Sequence, residues 1–131
     1  MNIEELRDNC LAIKGCTESA PFIDRNILVF KVMEKMFAYI SLAPKDGRFK
    51  VYLKCNPDRS VELRERYSGI TDSEWKSLLW NKVHLESDVP DKLIAELIIH
   101  SADEVIKKLT KKKQEEYVKF YQQTIRKKTN E

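Results

Sequence analysis

The chain has 131 residues, of which 42% are hydrophobic and 34% charged, with a formal net charge of +3. That is one domain's worth of chain, long enough to bury a core under a heavily charged surface. Three cysteines with no CxxC spacing, two scattered histidines and three glycines exclude a disulfide framework, a zinc pattern and a glycine-rich phosphate loop.

The N-terminal Asn2-x-x-Glu5 reads as a capping box. Ile3, Leu6, Cys10 and Ile13 follow at helical spacing, so residues 3–14 are predicted to be a helix stopped by Gly15. Residues 16–25 read as a connection pinned to the core by Pro21 and Phe22. Residues 27–55 then carry three strands: Ile27–Val32, residues 36–42 and residues 49–55. Met33-Glu34-Lys35 leaves room for only a tight hairpin, and Ala43-Pro44-Lys45-Asp46-Gly47-Arg48 is a wider turn. Side chains alternate across a strand. Leu28, Phe30, Val32, Met36, Ala38, Ile40, Leu42, Val51, Leu53 and Cys55 can therefore share one apolar face, leaving Lys31, Phe37, Tyr39, Ser41, Lys50, Tyr52 and Lys54 on the other.

Asn56-Pro57 opens a second helix over residues 57–67 that buries Val61, Leu63 and Tyr67. Thr71-x-x-Glu74 reads as another capping box, predicting a helical turn or two within residues 72–79. Residues 80–86 form a fourth strand, with Val83 and Leu85 inward and Lys82 and His84 outward. After Asp88 to Pro90, an i, i+4 rhythm through Leu93, Leu97, Ile98, Ala102, Val105 and Leu109 marks a long helix. Residues 111–128 are a basic helix with one narrow stripe, Tyr117, Phe120, Tyr121 and Ile125, which is not stable alone. Residues 107–131 hold nine Lys or Arg against three acids, and the rest of the chain is net acidic. The expected fold is α+β: a four-stranded, mainly antiparallel sheet with helices packed on one face. Residues 1–110 form the domain and residues 111–131 a basic helical extension.

The opening NIEELRDNCLAIKG, the hairpin LVFKVMEKMFAYISL, the join VYLKCNPDRSVELRERY, the strand WNKVHL and the helix DKLIAELIIHSADEV resemble the MmcQ/YjbR family over roughly residues 1–110. The resemblance implies a small bacterial protein with a CyaY-like fold, described as "double-wing" and proposed to bind DNA. It marks Asn56, Pro57, Trp80, Asn81 and Val83 as motif residues. Their chemistry reads as structural, with Trp80 a core anchor and Asn81 a buried hydrogen-bonding side chain. The chain departs from the family at residues 72–79, where many members carry Gly-Tyr-His-Met.

Three constellations are candidates for function. Tyr39 and Tyr52 with Lys31, Lys50, Lys54 and Lys82 make a face on which bases could stack while lysines meet phosphates. The competing readings are a solvated face, or one covered by the C-terminal helix meeting Phe37 and Tyr39. Lys35 and the pair Lys45/Arg48 sit on the hairpin tips, where phosphate contact would fall; lysines there also guard sheet edges. The run at residues 107–113 is a polycation or a solvated helix junction. DNA is the first expected partner. The alternative is a protein or a second copy, docking on Tyr117, Phe120, Tyr121 and Ile125. No cofactor, metal or catalytic constellation is expected. An enzyme would need His84, Trp80 and Asn81 gathered with a carboxylate such as Glu74. With no long apolar run and no signal-peptide pattern, the expected home is the cytoplasm, without membrane contact.

Overall fold

The strand-rich centre of the chain forms a fully antiparallel sheet in the computed structural model, which describes the backbone of residues 1–20 and 26–129 and the side chains of residues 1–20 and 26–120. The elements run α1 (Ile3–Leu11), β1 (Thr17–Ser19), β2 (Ile27–Val32), β3 (Lys35–Ser41), β4 (Lys50–Lys54), α2 (Pro57–Arg66), β5 (Ile70–Asp72), β6 (Trp80–His84), α3 (Asp91–Lys107) and α4 (Lys111–Thr129). Strand order is β1-β2-β3-β4-β6-β5.

The sheet has six strands where four were expected. The two extra strands, β1 and β5, are three-residue edges, too short to display an alternation pattern. β1 lies inside the stretch read as a connection and pairs with β2, Glu18 opposite Phe30. β5 overrides the second capping box. Thr71 and Asp72 pair with Lys82 and Asn81 of β6, and the Asp72 carboxylate accepts from Ser77 N at 3.1 Å, closing a turn instead of a helix. The anchoring expected of Pro21 and Phe22 lies outside the described residues.

The inner face is a continuous apolar layer. Val51 of β4 faces Ile40 and Val83, and Val83 faces Ile70. α3 lies across β2, β3 and β4, with α1 packed against it. Phe30, Ile40, Leu53, Ile94, Ile98 and Leu6 are buried here, each contributing about 1.5–3 kcal/mol of burial free energy. The Asn2 capping box starts α1 as predicted. The helix stops at Leu11, however, and a turn carries the chain to Gly15, whose φ of +80° suits glycine. α2 packs beside β5 through buried Ser60 and Leu63, while Val61, expected inside, is exposed.

One strand breaks the expected phase. In β3, Phe30 faces Ala38 but Lys31 faces Met36, so Phe37 is the extra residue of a β-bulge. Phe37, expected on the outer face, is fully buried in the core, and Met36, expected inside, is only partly buried. The Ser101 hydroxyl of α3 secures the bulge, donating to Phe37 O at 2.6 Å and accepting from Lys54 N at 2.8 Å.

The turn between β2 and β3 is the tight hairpin expected. Met33 and Glu34 both adopt positive φ, 50° and 67°, the twist a two-residue loop needs. At the other end of the chain, Thr110 caps α4 through Lys113 N. Tyr117 packs on the core, and its hydroxyl donates to Lys14 O at 2.8 Å. The start of the basic extension is therefore docked beside the end of α1.

Candidate nucleic-acid interface on the outer sheet face

Because side chains alternate, the residues between the core positions of β3, β4, β6 and β5 project to the opposite side. One cross-strand row there runs Tyr39, Tyr52, Lys82, Thr71. The flanking rows pair Lys54 with Trp80 and Lys50 with His84. The described helices α1, α2 and α3 pack on the inner side, and the loop between β5 and β6 folds over this outer one.

That loop contributes Trp75, which meets three rings edge-on. Its centroid lies 6.1 Å from Tyr39, 5.3 Å from Tyr52 and 5.3 Å from Trp80, and Tyr39 and Tyr52 are 5.2 Å apart. These are favourable quadrupole arrangements. Trp75 still keeps 47% of its surface exposed. Next to it, the Glu74 carboxylate accepts hydrogen bonds from the Tyr52 hydroxyl and from Lys82 Nζ, the latter at 2.8 Å. The Lys82 ammonium first, and the Tyr52 hydroxyl second, hold the Glu74 carboxyl down at about 2. Burial, and then the bond to Glu74, push the Tyr52 phenol above its ordinary value. Lys76 sits at φ +47°, a left-handed conformation costly for a side chain. The loop's second half is tied to α2: Ser60 Oγ donates to Leu78 O at 2.6 Å and Arg64 Nη2 to Ser77 O at 2.7 Å.

The structure brings together Tyr39, Tyr52, Lys54 and Lys82 as one patch, with Lys31 on the same side of β2 opposite Met36. Lys50, also on this face, is engaged at 2.5 Å with Asp46, whose carboxyl it holds at about 2. Lys35 stands at the start of β3, while Lys45 and Arg48 lie in the turn beyond its other end. The two hairpin tips are thus at opposite ends of one strand. Trp80 is corrected from core anchor to outer face: it is half-buried against Trp75. Phe37, read as a meeting point for the C-terminal helix, faces the core instead, and Tyr117 of that helix reaches Lys14. Phe120 is 79% exposed, and the side chains of Tyr121 and Ile125 lie outside the described residues.

The remaining motif residues have plain structural contacts. Asn56 caps α2, accepting from Asp58 N at 2.9 Å, with Pro57 as the first helical residue. His100 Nε2 accepts from Asn56 N at 3.2 Å, and burial, then Arg59, lower its pKa. Asn81, buried on the inner face beside Val83, donates to Ser60 Oγ at 3.0 Å and accepts from Arg64 Nε at 2.7 Å. Its partners are side chains of α2, clamping that helix to β6. Asn81 therefore lies on the opposite side of the sheet from Trp80 and Glu74. His84 lines a separate cavity of about 610 Å3 with Arg48, Phe49 and Glu86. Burial, then Lys50 and Lys82, lower its pKa. Among the described residues no group of three His, Cys, Asp or Glu could hold a metal, and no helix is long and apolar enough to cross a membrane.

Fold and face together define a small α+β domain whose sheet is covered by helices on one side and carries an aromatic, lysine-bearing surface on the other. The chain belongs to the YjbR family, whose profile matches residues 11–103. It is 28% identical over 114 residues to the Escherichia coli K12 protein named "Uncharacterized protein YjbR", covering 86% of this chain and 94% of that one, and equally so to the O157:H7 protein. It is also similar to the crystal structure of Deinococcus radiodurans protein DR2400, a DUF419 domain, at a TM-score of 0.78 and 31% identity over 88% and 87% of the two chains. A Pseudomonas syringae crystal structure shares the fold, at a TM-score of 0.67 and 23% identity over 79% and 97%. The matched segment includes the whole aromatic patch and excludes α4.

Proposed function

We propose that the protein is a non-enzymatic, cytoplasmic module that binds single-stranded nucleic acid across the outer face of its sheet. One observation carries this reading: Tyr39, Tyr52, Trp75 and Trp80 form a contiguous, partly solvent-exposed aromatic platform bordered by Lys31, Lys54 and Lys82. Every base has a π-face, so stacking on such a platform is worth about 1–3 kcal/mol per base without sequence readout. The lysines supply phosphate neutralisation. Glu74 marks where a phosphate would sit, because its carboxylate takes the Tyr52 and Lys82 donors a phosphate oxygen would use.

The placement of the hairpin tips favours a single strand over a duplex held between two wings. The tips are separated by the seven residues of β3, roughly 20 Å at about 3.3 Å per residue, with the platform between them. Fluorescence anisotropy with labelled single-stranded and duplex oligonucleotides, at two salt concentrations, tests the proposal. Tighter single-strand binding that weakens with salt, with a log–log slope near −0.7 for each phosphate engaged, is the expected result. Equal or absent binding of both forms at low salt would remove it.

A second reading has its own observation: Phe120, 79% exposed on α4, suits a protein partner or a second copy. Phe120→Ser should then lower the solution mass or abolish partner recovery, and an unchanged mass and recovery would dismiss it.

A further inference from the structure

Two lysines of the outer face are neutralised within the chain, Lys50 by Asp46 and Lys82 by Glu74. Lys35, Lys54 and Lys108 form no ion pair among the described residues. All three line one cavity of about 310 Å3 where β3 begins and β4 ends, together with Met36, Val105 and Leu109. Among the described residues, no carboxylate lines it. Three lysines, from the start of β3, the end of β4 and the C-cap of α3, therefore line one recess beside Met36, Val105 and Leu109, with no ion-pair partner among the described residues.

The backbone explains why the recess exists. The β3–β4 ladder stops at Ala38 opposite Leu53. One step further, the Ser101 hydroxyl stands between the strands, accepting from Lys54 N and donating to Phe37 O. It replaces the direct bond that would draw β3 and β4 together. The bulge at Phe37 also re-aims the residues before it. Lys35 comes to lie opposite core-facing Val32, on the helix side of the sheet, where the end of α3 brings up Lys108. The negative end of a helix would oppose an anion here. Gln114 answers part of that charge, its amide donating to Lys107 O and Leu109 O at 3.1 and 2.8 Å. Glu104, one turn before Lys108, is engaged by Lys107 at 3.2 Å.

We infer that this recess is an anion seat that takes a phosphoryl group. An anion seated there would meet three cationic side chains at once, and each attraction adds to the others. About 310 Å3 accommodates the phosphate and the small body it is attached to. Two sources share this chemistry: a backbone phosphate of a bound strand, or a free phosphate ester. Lys54 sits opposite Trp80 at the edge of the aromatic platform, so a strand crossing the platform toward α3 would deliver a phosphate into the recess. That source, unlike the seat, rests on the proposed function.

The test uses the full chain. Inorganic phosphate is titrated at low ionic strength while backbone amide shifts are followed by NMR, for the wild type, for Lys35→Ala/Lys108→Ala, and for the exposed control Lys92→Ala/Lys112→Ala. The expected result is saturable shifts at Lys35, Lys54, Val105 and Lys108, kept by the control and lost in the recess variant. No saturable shift there, or shifts that persist in the recess variant, would overturn the inference. A second arm measures single-stranded oligonucleotide affinity in the same proteins. A loss of tenfold or more confined to the recess variant supports the strand as source. Phosphate binding without any such loss supports the seat and assigns it to a free phosphate ester. Phosphate binding with no oligonucleotide binding by any protein sinks the platform reading and leaves the seat standing.

Discussion

The two faces of this sheet are made by the same strands, yet they are completed in different ways. The inner face is sealed by the helical layer, with α3 over β2, β3 and β4 and α2 beside β5, on a continuous apolar row from Ile40 through Val51 and Val83 to Ile70. Among the described residues, the loop between β5 and β6 contacts the outer face through Glu74 and Trp75. Burial on the first face is wide and non-directional. On the second, a few directional contacts hold rings and charges that remain open to solvent. Stability should therefore reside on the inner face and binding on the outer, and substitutions can drive the two properties apart.

The largest expected effect is at Phe37, which the bulge commits to the core. Phe37→Ala should cost about 3–5 kcal/mol of stability, read as a shifted denaturant midpoint, while the folded fraction keeps its oligonucleotide affinity. Next comes the clamp between α2 and β6. Asn81→Ala leaves Arg64 Nε and buried Ser60 Oγ short of a partner, at a cost of about 1–3 kcal/mol, again without a change in affinity measured below the transition.

The outer face should behave in the opposite way. Trp75→Ala is expected to weaken single-strand binding by about 1–3 kcal/mol, or roughly 5- to 150-fold, in an anisotropy titration, with a much smaller change in midpoint than Phe37→Ala. Were Trp75→Ala to destabilise as much as Phe37→Ala and leave affinity unchanged, the division of labour between the faces would be wrong.

Glu74 gives the smallest effect and the sharpest sign. Glu74→Gln removes the carboxylate that competes with phosphate for Lys82 and Tyr52, so affinity should rise a few-fold. Its folded pKa of about 2 lies below the ordinary carboxylate value of about 4.3. The stabilisation it contributes is therefore fully present above that ordinary value and is lost as pH falls through about 2. With 61% of the side chain exposed, solvent screening limits this to about 1 kcal/mol or less. Thermal midpoints of wild type and Glu74→Gln should thus converge between pH 4 and pH 2, and a gap that widens with acid would contradict the assignment.

Much of this architecture was legible in the residues. The alternation in β4 and β6 places Val51, Leu53 and Val83 inward and Tyr52 and Lys82 outward, as found. The long rhythm of α3 was equally readable. β1 and β5 were not, because three residues contain at most one full period. The bulge at Phe37 carries no Gly or Pro to announce it; it is stabilised by Ser101, 64 residues away. Trp75 was hidden inside a pattern, Thr71-x-x-Glu74, that looks like a helix start. Local capping signals lost there to pairing with β6, and the Glu of the pattern binds Tyr52 and Lys82 instead. Trp80 did carry a usable signal. It shares its phase with Lys82 and His84, which places it outward, against the general preference of tryptophan for the core.

The central claim is that bases stack on the platform, and the chain provides its own probe for it. Both of its tryptophans, Trp75 and Trp80, belong to the platform. Titrating single-stranded DNA at low salt while following tryptophan emission should give saturable quenching, at a midpoint matching the anisotropy titration and shifted to higher concentration by salt. Oligonucleotide binding seen by anisotropy with unchanged tryptophan emission would place the nucleic acid elsewhere on the molecule and contradict the account.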